Sequence, residues 1–174
     1  MVDYAGNSKR AEKDIPELID LLDYVRKSME QKERDPPETI RERMADGSMT
    51  LWIAMDGKKI VGAFDTLNPG LEAYNYGYAL NLPQAELLKV VNMDTAAVHP
   101  DYRGRGLQKQ LMQLAEAELA STGKSILLCT VHPENQFSLN NVLSQGYQIQ
   151  RTVPMYGSIR HILRKNLRER KTDS

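Results

Sequence analysis

The stretch "DYRGRGLQKQL", Asp101–Leu111, decides the fold, because it joins a strand-like apolar run to an apolar run with helical spacing. The N–H groups that open a helix have no partner inside that helix, and the helix dipole adds positive potential there. Gly104 and Gly106 permit a ligand to approach the backbone closely, and Arg103 and Arg105 add charge suited to phosphate. The stretch therefore predicts an anion site, unless it serves only to start a helix.

The composition is that of an ordinary globular protein, with 41% hydrophobic residues in a chain of 174 residues, a length that favours one domain. Lysine plus arginine and aspartate plus glutamate both number 23, and this balance disfavours a nucleic-acid-binding protein. Cys129 is the sole cysteine, and no apolar run approaches the ~20 residues that span a bilayer. We expect a cytoplasmic monomer or homodimer without nucleic-acid or membrane partners.

Helical and strand-like patterns alternate on both sides of the stretch. Before it, they predict a helix from Asp14, a short helix within residues 34–47, a hairpin around Asp56–Gly57, a helical segment from Pro83 and a buried strand over residues 89–98. After it, they predict a helix that stops at Gly123, a strand within 125–131, a helix within 134–146 and two strands around the turn "PMYGS". Residues 1–13 fit a frayed tail or a weak first strand. This order indicates a mixed α/β fold around one sheet.

The two common nucleotide-binding patterns do not fit the stretch. The sequence G-x-x-x-x-G-K-S/T is absent, and the dinucleotide pattern G-x-G-x-x-G would need glycine where the chain has Lys109. A P-loop or a Rossmann-type cofactor site is therefore disfavoured, and another phosphate-bearing ligand has to be considered.

A longer stretch, "TAAVHPDYRGRGLQKQLM" over residues 95–112, resembles the acyl-CoA-binding motif of the GNAT superfamily of N-acetyltransferases. The motif has a strand that ends in V-x-P, followed by R/Q-x-x-G-x-G/A at the start of a helix. Gln108 departs from the usual glycine or alanine at the last position. A second stretch, "VHPENQFSLNNVLSQGYQI" over residues 131–149, resembles the other coenzyme segment of the family, with Asn135 and Ser138 in the N-x-x-S/A positions.

The resemblance implies a single α/β (α+β) domain over residues 1–174, with a central mixed, mostly antiparallel sheet flanked by helices; residues 1–13 and 167–174 would be flexible ends. It implies acetyl-CoA or another acyl-CoA as cofactor. The strand edge at Ala97 and Val98 would bind the pantetheine arm, and Asn135 and Ser138 would contact the coenzyme. The backbone that would hold the diphosphate comprises Arg103, Gly104, Arg105, Gly106, Leu107 and Gln108.

The resemblance also places the catalytic positions, and there the chain departs from the family. Asn92 stands at or near the position of a glutamate that many members use as a base, and Asp94, two residues on, is the best substitute. The alternative for Asp94 is a hydrogen bond to a neighbouring loop. The family's frequent tyrosine acid is replaced by Val142, and we expect Tyr156 to take its role. Cys129 is expected to be a buried strand residue without a catalytic role.

Three alternating tyrosines, Tyr74, Tyr76 and Tyr78, precede the coenzyme strand. If this segment is a strand, they share one face and would line an acceptor pocket with Glu72 and Asp94; the alternative is that they only cover the sheet. No metal site is expected, because no pair of histidines has metal-ligand spacing and one cysteine cannot form a zinc cluster.

These observations predict an N-acetyltransferase that transfers an acetyl group from acetyl-CoA to a primary amine of a small molecule or peptide, by direct attack. The alternative is a catalytically weakened protein of the same fold that binds or senses CoA. The replacements at Asn92 and Val142 favour that alternative somewhat.

Overall fold

The structure is a computed structural model that describes residues 2–5 and 37–168. The helix predicted from Asp14 lies outside the described residues. In chain order the elements are β1 Val2–Ala5, α1 Pro37–Ala45, β2 Met49–Asp56, β3 Lys59–Leu67, a 3₁₀ helix Tyr76–Leu80, α2 Gln84–Leu87, β4 Val90–Val98, a 3₁₀ helix Pro100–Tyr102, α3 Leu107–Leu119, β5 Ile126–Val131, α4 Gln136–Ser144, β6 Gln148–Met155 and β7 Ser158–Asn166.

The strands form a mixed sheet in the order β1-β2-β3-β4-β5-β7-β6. β4 and β5 run parallel, with Val90–Asn92 beside Ile126–Leu128. The β1–β2, β5–β7 and β6–β7 pairs are antiparallel, so the predicted mixed, mostly antiparallel sheet with flanking helices is confirmed. Part of the N-terminal segment is indeed a strand, because Val2–Ala5 pairs with β2.

Two-residue turns connect both predicted hairpins. Gly57 and Lys58 join β2 to β3, one residue later than the expected Asp56–Gly57 pair. Tyr156 and Gly157 join β6 to β7, and both have positive φ angles, 54° and 73°. Two positive φ angles define the primed turn whose twist matches that of the paired strands. The turn therefore fixes where the Tyr156 side chain leaves the hairpin.

The described chain forms two compact units, and the first contains Thr95–Ala115 together with the chain up to Thr66. Its core is an apolar cluster from three strands, into which α1 and β2 each place a methionine. The members are Leu51, Ile53, Ile60, Ala63 and Ala97, with Met44 and Met55 packed against them. Helix α3 begins in this unit, where its buried face follows the predicted helical spacing through Leu107, Leu111 and Ala115.

The second unit contains Leu67–Asp94 and the chain from Glu116 on. Its core cluster consists of Tyr76, Val90, Ile126 and Leu128, with Leu80, Leu82 and Met155 packed against them. Tyr147 is buried, and its hydroxyl donates to Glu116 at 2.9 Å. Glu116, which is partly buried, also accepts from the Lys165 ammonium at 2.7 Å, so the Tyr147 hydroxyl and the Glu116 carboxylate are both partnered.

The expectation that Tyr74, Tyr76 and Tyr78 share one strand face is wrong, because the segment folds as a loop and a 3₁₀ helix. The Asn75 carboxamide caps that helix by accepting from the Gly77 N–H at 2.7 Å. Tyr76 is buried, Tyr74 is half-buried, and Tyr78 is exposed, with its hydroxyl donating to the Leu71 carbonyl. A 3₁₀ helix has three residues per turn, so alternate residues point in different directions.

In the described ranges, none of the helices has the length and apolar character that a membrane crossing requires.

Candidate active site

Tyr102 lies at the end of the 3₁₀ helix that follows β4, and its side chain contacts residues on both sides of the loop in the opening stretch. The Tyr102 hydroxyl donates to the Asp56 carboxylate at the end of β2. The Arg105 guanidinium lies over the Tyr102 ring, with its carbon 4.7 Å from the ring centroid. This cation–π contact holds one of the two loop arginines on the protein surface.

Gly104 and Gly106 both have a φ of 75°, in the region that L side chains rarely adopt. Residues 103–106 are all exposed, and Leu107 is buried where α3 begins. A Cβ at Gly104 would meet no protein atom within 4 Å, and one at Gly106 would come no nearer than 3.8 Å to the Gln110 amide. The space above both glycines is therefore open to a ligand, and this geometry fits a diphosphate at the helix start.

Ala97 and Val98 end β4 just before this loop. The Ala97 side chain is buried in the core cluster of the first unit, and Val98 is half-buried. These side chains therefore present little surface to a ligand, and the pairing of the strand-end backbone with the pantetheine arm stays a prediction.

The second coenzyme segment starts α4. The Asn135 side-chain oxygen accepts from the Ser138 N–H at 3.2 Å, so Asn135 caps the helix. Asparagine at position 135 thus has a structural reason of its own. The contact of Asn135 and Ser138 with coenzyme stays a prediction.

Asn92 lies in the second unit and holds the tyrosine segment in place. Only 1% of Asn92 is exposed. Its amide nitrogen donates to the Tyr74 carbonyl at 2.9 Å, and its oxygen accepts from the Tyr76 N–H at 3.2 Å. Both ends of the carboxamide therefore bind backbone, which assigns Asn92 to positioning rather than to proton transfer.

Asp94 lies two residues further along β4 and faces the same segment. The Tyr76 hydroxyl donates to the Asp94 carboxylate at 2.6 Å. Asp94 therefore does bond a neighbouring segment, as its structural alternative supposed. The bonded group is a titratable hydroxyl, which leaves a catalytic role open.

Tyr156 lies at the tip of the β6–β7 hairpin, where 58% of it is exposed. Burial raises the pKa of Tyr76 well above its usual value, and the neighbouring Asp94 and Tyr156 raise it further. The structure thus gives Asp94 a buried tyrosine as its hydrogen-bond partner. Sequence reasoning assigned Tyr76 to the acceptor pocket and missed its bond to Asp94.

The comparisons with known proteins agree with this geometry. A profile of the Acetyltransferase (GNAT) family matches residues 18–147. The chain belongs to the GNAT family of acetyltransferases. Its resemblance to that family, drawn from two short motifs, is confirmed.

The L-amino acid N-acyltransferase MnaT of Escherichia coli (strain K12) is a relative of this GNAT protein. The two are 31% identical over 61 residues, which are 35% of this chain and 36% of that protein. The match therefore covers about a third of each protein.

Solved GNAT structures share the fold over nearly the whole chain. An N-acetyltransferase from Staphylococcus aureus Mu50 has a TM-score of 0.74 at 10% identity, covering 97% of this chain and 99% of that one. The yncA protein of Salmonella typhimurium, solved with its cofactor acetyl-CoA, has a TM-score of 0.73 at 13% identity, covering 99% and 98%. The ribosomal-protein-S18-alanine N-acetyltransferase of Escherichia coli has a TM-score of 0.68 at 14% identity, covering 100% and 99%.

Val142 and Cys129 of this GNAT chain are unsuited to act as the acid or the nucleophile. Val142, at the position of the frequent tyrosine acid, is buried in α4. Cys129 is buried in β5, and desolvation raises the pKa of its thiol to about 12. A thiol that stays protonated at neutral pH is a poor nucleophile, which agrees with the structural role expected for Cys129.

Two of the histidines act in loops. His99 and His132 each accept, through Nδ1, from the N–H of the residue two positions later, Asp101 and Glu134. Within residues 2–5 and 37–168, no three histidine, cysteine, aspartate or glutamate side chains converge as ligands of a metal ion would.

Proposed function

We propose that this GNAT protein is an N-acetyltransferase, which transfers the acetyl group of acetyl-CoA to a primary amine of a small molecule or peptide by direct attack. The observation that carries the proposal is the exposed loop of residues 103–106, whose two positive-φ glycines leave open space at the start of α3. This is the position of the acyl-CoA motif in the family to which the chain belongs.

The protein would hold the coenzyme mostly through backbone groups. The N–H groups from Arg103 to Gln108 would donate to the diphosphate, helped by the positive end of the α3 dipole. The edge of β4 at Ala97 and Val98 would pair with the pantetheine arm, and Asn135 with Ser138 would form a further contact. When bound, acetyl-CoA supplies a thioester, whose acetyl group an amine can attack.

Direct attack requires a neutral amine, so a base has to remove a proton from the ammonium ion. Asp94 is our candidate for that base, since it is the carboxylate that shares a face of β4 with Asn92 and bonds the hydroxyl of Tyr76. Asn92 positions the segment that carries Tyr76. Tyr156, exposed at the tip of the β6–β7 hairpin, is our candidate for the acid that protonates the leaving thiolate.

The acceptor is proposed to be a cationic amine, such as an L-amino acid or a peptide N-terminus. Two similar proteins support these classes, one an L-amino acid N-acyltransferase and one a ribosomal-protein-S18-alanine N-acetyltransferase. Within this chain, the exposed Glu72 beside Tyr74 and Tyr78 supplies negative charge at the segment next to Asp94.

Two measurements test this proposal. CoA should raise the thermal unfolding midpoint in a concentration-dependent way, because a ligand that binds only the folded state stabilises it. Acetyl-CoA should then release free thiol in the presence of at least one amine from a panel of L-amino acids and alanine-terminated peptides. Stabilisation by CoA without thiol release on any amine would favour the CoA-binding alternative, and no stabilisation at millimolar CoA would contradict both.

A further inference from the structure

The glycine loop that precedes α3 is held at both of its ends. Its first end is Tyr102, the last residue of a 3₁₀ helix, where the Tyr102 N–H donates to the His99 carbonyl at 2.9 Å. Its second end is Leu107, which is 4% exposed where α3 begins. The four residues between these ends, 103–106, are exposed. The conformation of this exposed backbone therefore depends on how Tyr102 and Leu107 are held.

The Tyr102 side chain makes two contacts that hold the first end of the loop. Its hydroxyl donates to Asp56 at the end of β2, 46 residues earlier in the chain. The carbon of the Arg105 guanidinium lies 4.7 Å from the centroid of the Tyr102 ring, so the middle of the loop folds back onto the same side chain. Tyr102 thus links the loop to the β2–β3 hairpin and to its own centre. All three residues belong to the first compact unit.

These contacts matter because the loop contains Gly104 and Gly106, and glycine loses more conformational freedom on ordering than any other residue. A loop that has to be ordered when its ligand arrives binds more weakly, since the ordering opposes binding. The measured affinity is then the intrinsic affinity reduced by the fraction of molecules in the competent conformation. A contact that holds the loop beforehand therefore strengthens binding without touching the ligand.

We propose that Tyr102 is a positioning residue for acetyl-CoA. Its hydroxyl bond to Asp56 holds the N–H groups of residues 103–108 in the arrangement that binds the diphosphate, and its ring holds Arg105 beside them. Tyr102 and Asp56 act on coenzyme binding and take no part in acetyl transfer. The inference rests on the proposed N-acetyltransferase function, because it concerns the coenzyme site of that function.

The charge of Asp56 distinguishes this role from a simple electrostatic effect. Exposed cations lie in and beside the loop, namely Arg103, Arg105 and Lys59, and the Lys59 Nζ is 5.9 Å from the centroid of the Tyr102 ring. A carboxylate among them opposes the approach of a diphosphate, because like charges repel. Loss of the Asp56 charge alone would therefore strengthen CoA binding, whereas loss of its bond to Tyr102 weakens it. The two effects have opposite signs.

The test measures the Kd of CoA by isothermal titration calorimetry for wild type, Tyr102→Phe, Asp56→Ala and Asp56→Asn. Tyr102→Phe removes only the hydroxyl and keeps the ring against which Arg105 packs, so it should raise the Kd about three- to tenfold. Asp56→Ala should also raise the Kd, although it removes a negative charge. Asp56→Asn keeps an oxygen that can accept from Tyr102, so its Kd should stay within about twofold of the wild-type value.

A double variant and the kinetics separate positioning from a general loss of structure. Tyr102→Phe combined with Asp56→Ala should bind CoA no more weakly than the weaker-binding single variant, because both substitutions remove the same bond. With the amine that wild type acetylates fastest, Tyr102→Phe should raise the KM for acetyl-CoA several-fold and leave kcat unchanged. Tyr147→Phe, which removes another tyrosine–carboxylate bond, should lower stability and leave the Kd of CoA unchanged.

An unchanged Kd of CoA in Tyr102→Phe, or tighter binding by Asp56→Ala, would overturn the positioning role and leave the coenzyme site intact. A lower kcat with an unchanged KM for acetyl-CoA would also overturn it. No binding of CoA by wild type would overturn the proposed function, and this inference with it. The thermal unfolding midpoint shows whether each variant is folded, and if Tyr102→Phe is not, the comparison of Asp56→Ala with Asp56→Asn decides.

Discussion

At the residue scale, two residues decide how Tyr76 is held. Asn92, where a base would stand in many relatives, uses both ends of its carboxamide to bind the backbone of Tyr74 and Tyr76. Gly77 follows at once and leaves no room for a larger residue. A Cβ there would lie 2.7 Å from Leu87 and 2.9 Å from the Asn75 oxygen. The position of one hydroxyl thus depends on two residues that carry no chemistry of their own.

Gly77→Ala should destabilise the protein by about 1–3 kcal/mol, because the added methyl group has to displace packed neighbours. Chemical unfolding at pH 7 measures this change. Gly62→Ala is the control, since a Cβ there would make contacts of 3.4 Å or longer, and it should change the free energy of unfolding far less. Equal effects of the two substitutions would contradict the described packing around Gly77.

Residues of this kind limit what a sequence can predict. The alternation of Tyr74, Tyr76 and Tyr78 has the period of a strand, and nothing local marks the 3₁₀ helix that forms instead. The segment is fixed by Asn92, 16 and 18 residues away in the chain. Because these contacts are nonlocal, the bond between Tyr76 and Asp94 could not be predicted from periodicity.

At the element scale, local sequence signals predict the segment that contains β4, the glycine loop and α3. The apolar run of β4 ends at His99–Pro100, and α3 begins at Leu107, as the sequence predicts. The hairpins and α4 were predictable for the same reason, since each is marked by contiguous residues. The exposed loop with Gly104 and Gly106 leaves room for a ligand at the start of α3, where the helix dipole favours an anion.

Gly106→Glu should abolish CoA binding, because it places an anion where the diphosphate would lie. The loss is measured as the disappearance of the thermal shift that CoA gives to wild type. Gly123→Glu is the matched control, because Gly123 has a similar φ of 77° and open space around it. A CoA-induced shift that survives in Gly106→Glu would show that the loop only starts a helix.

At the scale of the whole molecule, buried groups that stay protonated tie stability to pH. Burial raises the pKa values of Tyr76 and Tyr147, and that of Cys129 to about 12. In the unfolded chain such groups ionise near their usual values, about 8.5 for cysteine and about 10 for tyrosine. Above those values the folded state binds more protons than the unfolded state, so stability falls as pH rises.

Ionisation of these groups should therefore leave the free energy of unfolding unchanged up to about pH 8 and lower it progressively towards pH 11. Chemical unfolding at a series of pH values measures the decline. Tyr147→Phe should be less stable at pH 7 but should lose less with rising pH, since it lacks one of the buried phenols. A free energy that stays level between pH 8 and 11 would contradict the buried, protonated state of these groups.

The central claim is that the GNAT chain moves an acetyl group from acetyl-CoA to an amine. The most direct measurement uses acetyl-CoA with an isotope-labelled acetyl group and follows the label in the amine panel by mass spectrometry. We predict that the label appears on the nitrogen of an L-amino acid or a peptide N-terminus, in an amount equal to the CoA released. Release of CoA without labelled amine, or intact acetyl-CoA with every amine, would contradict the claim.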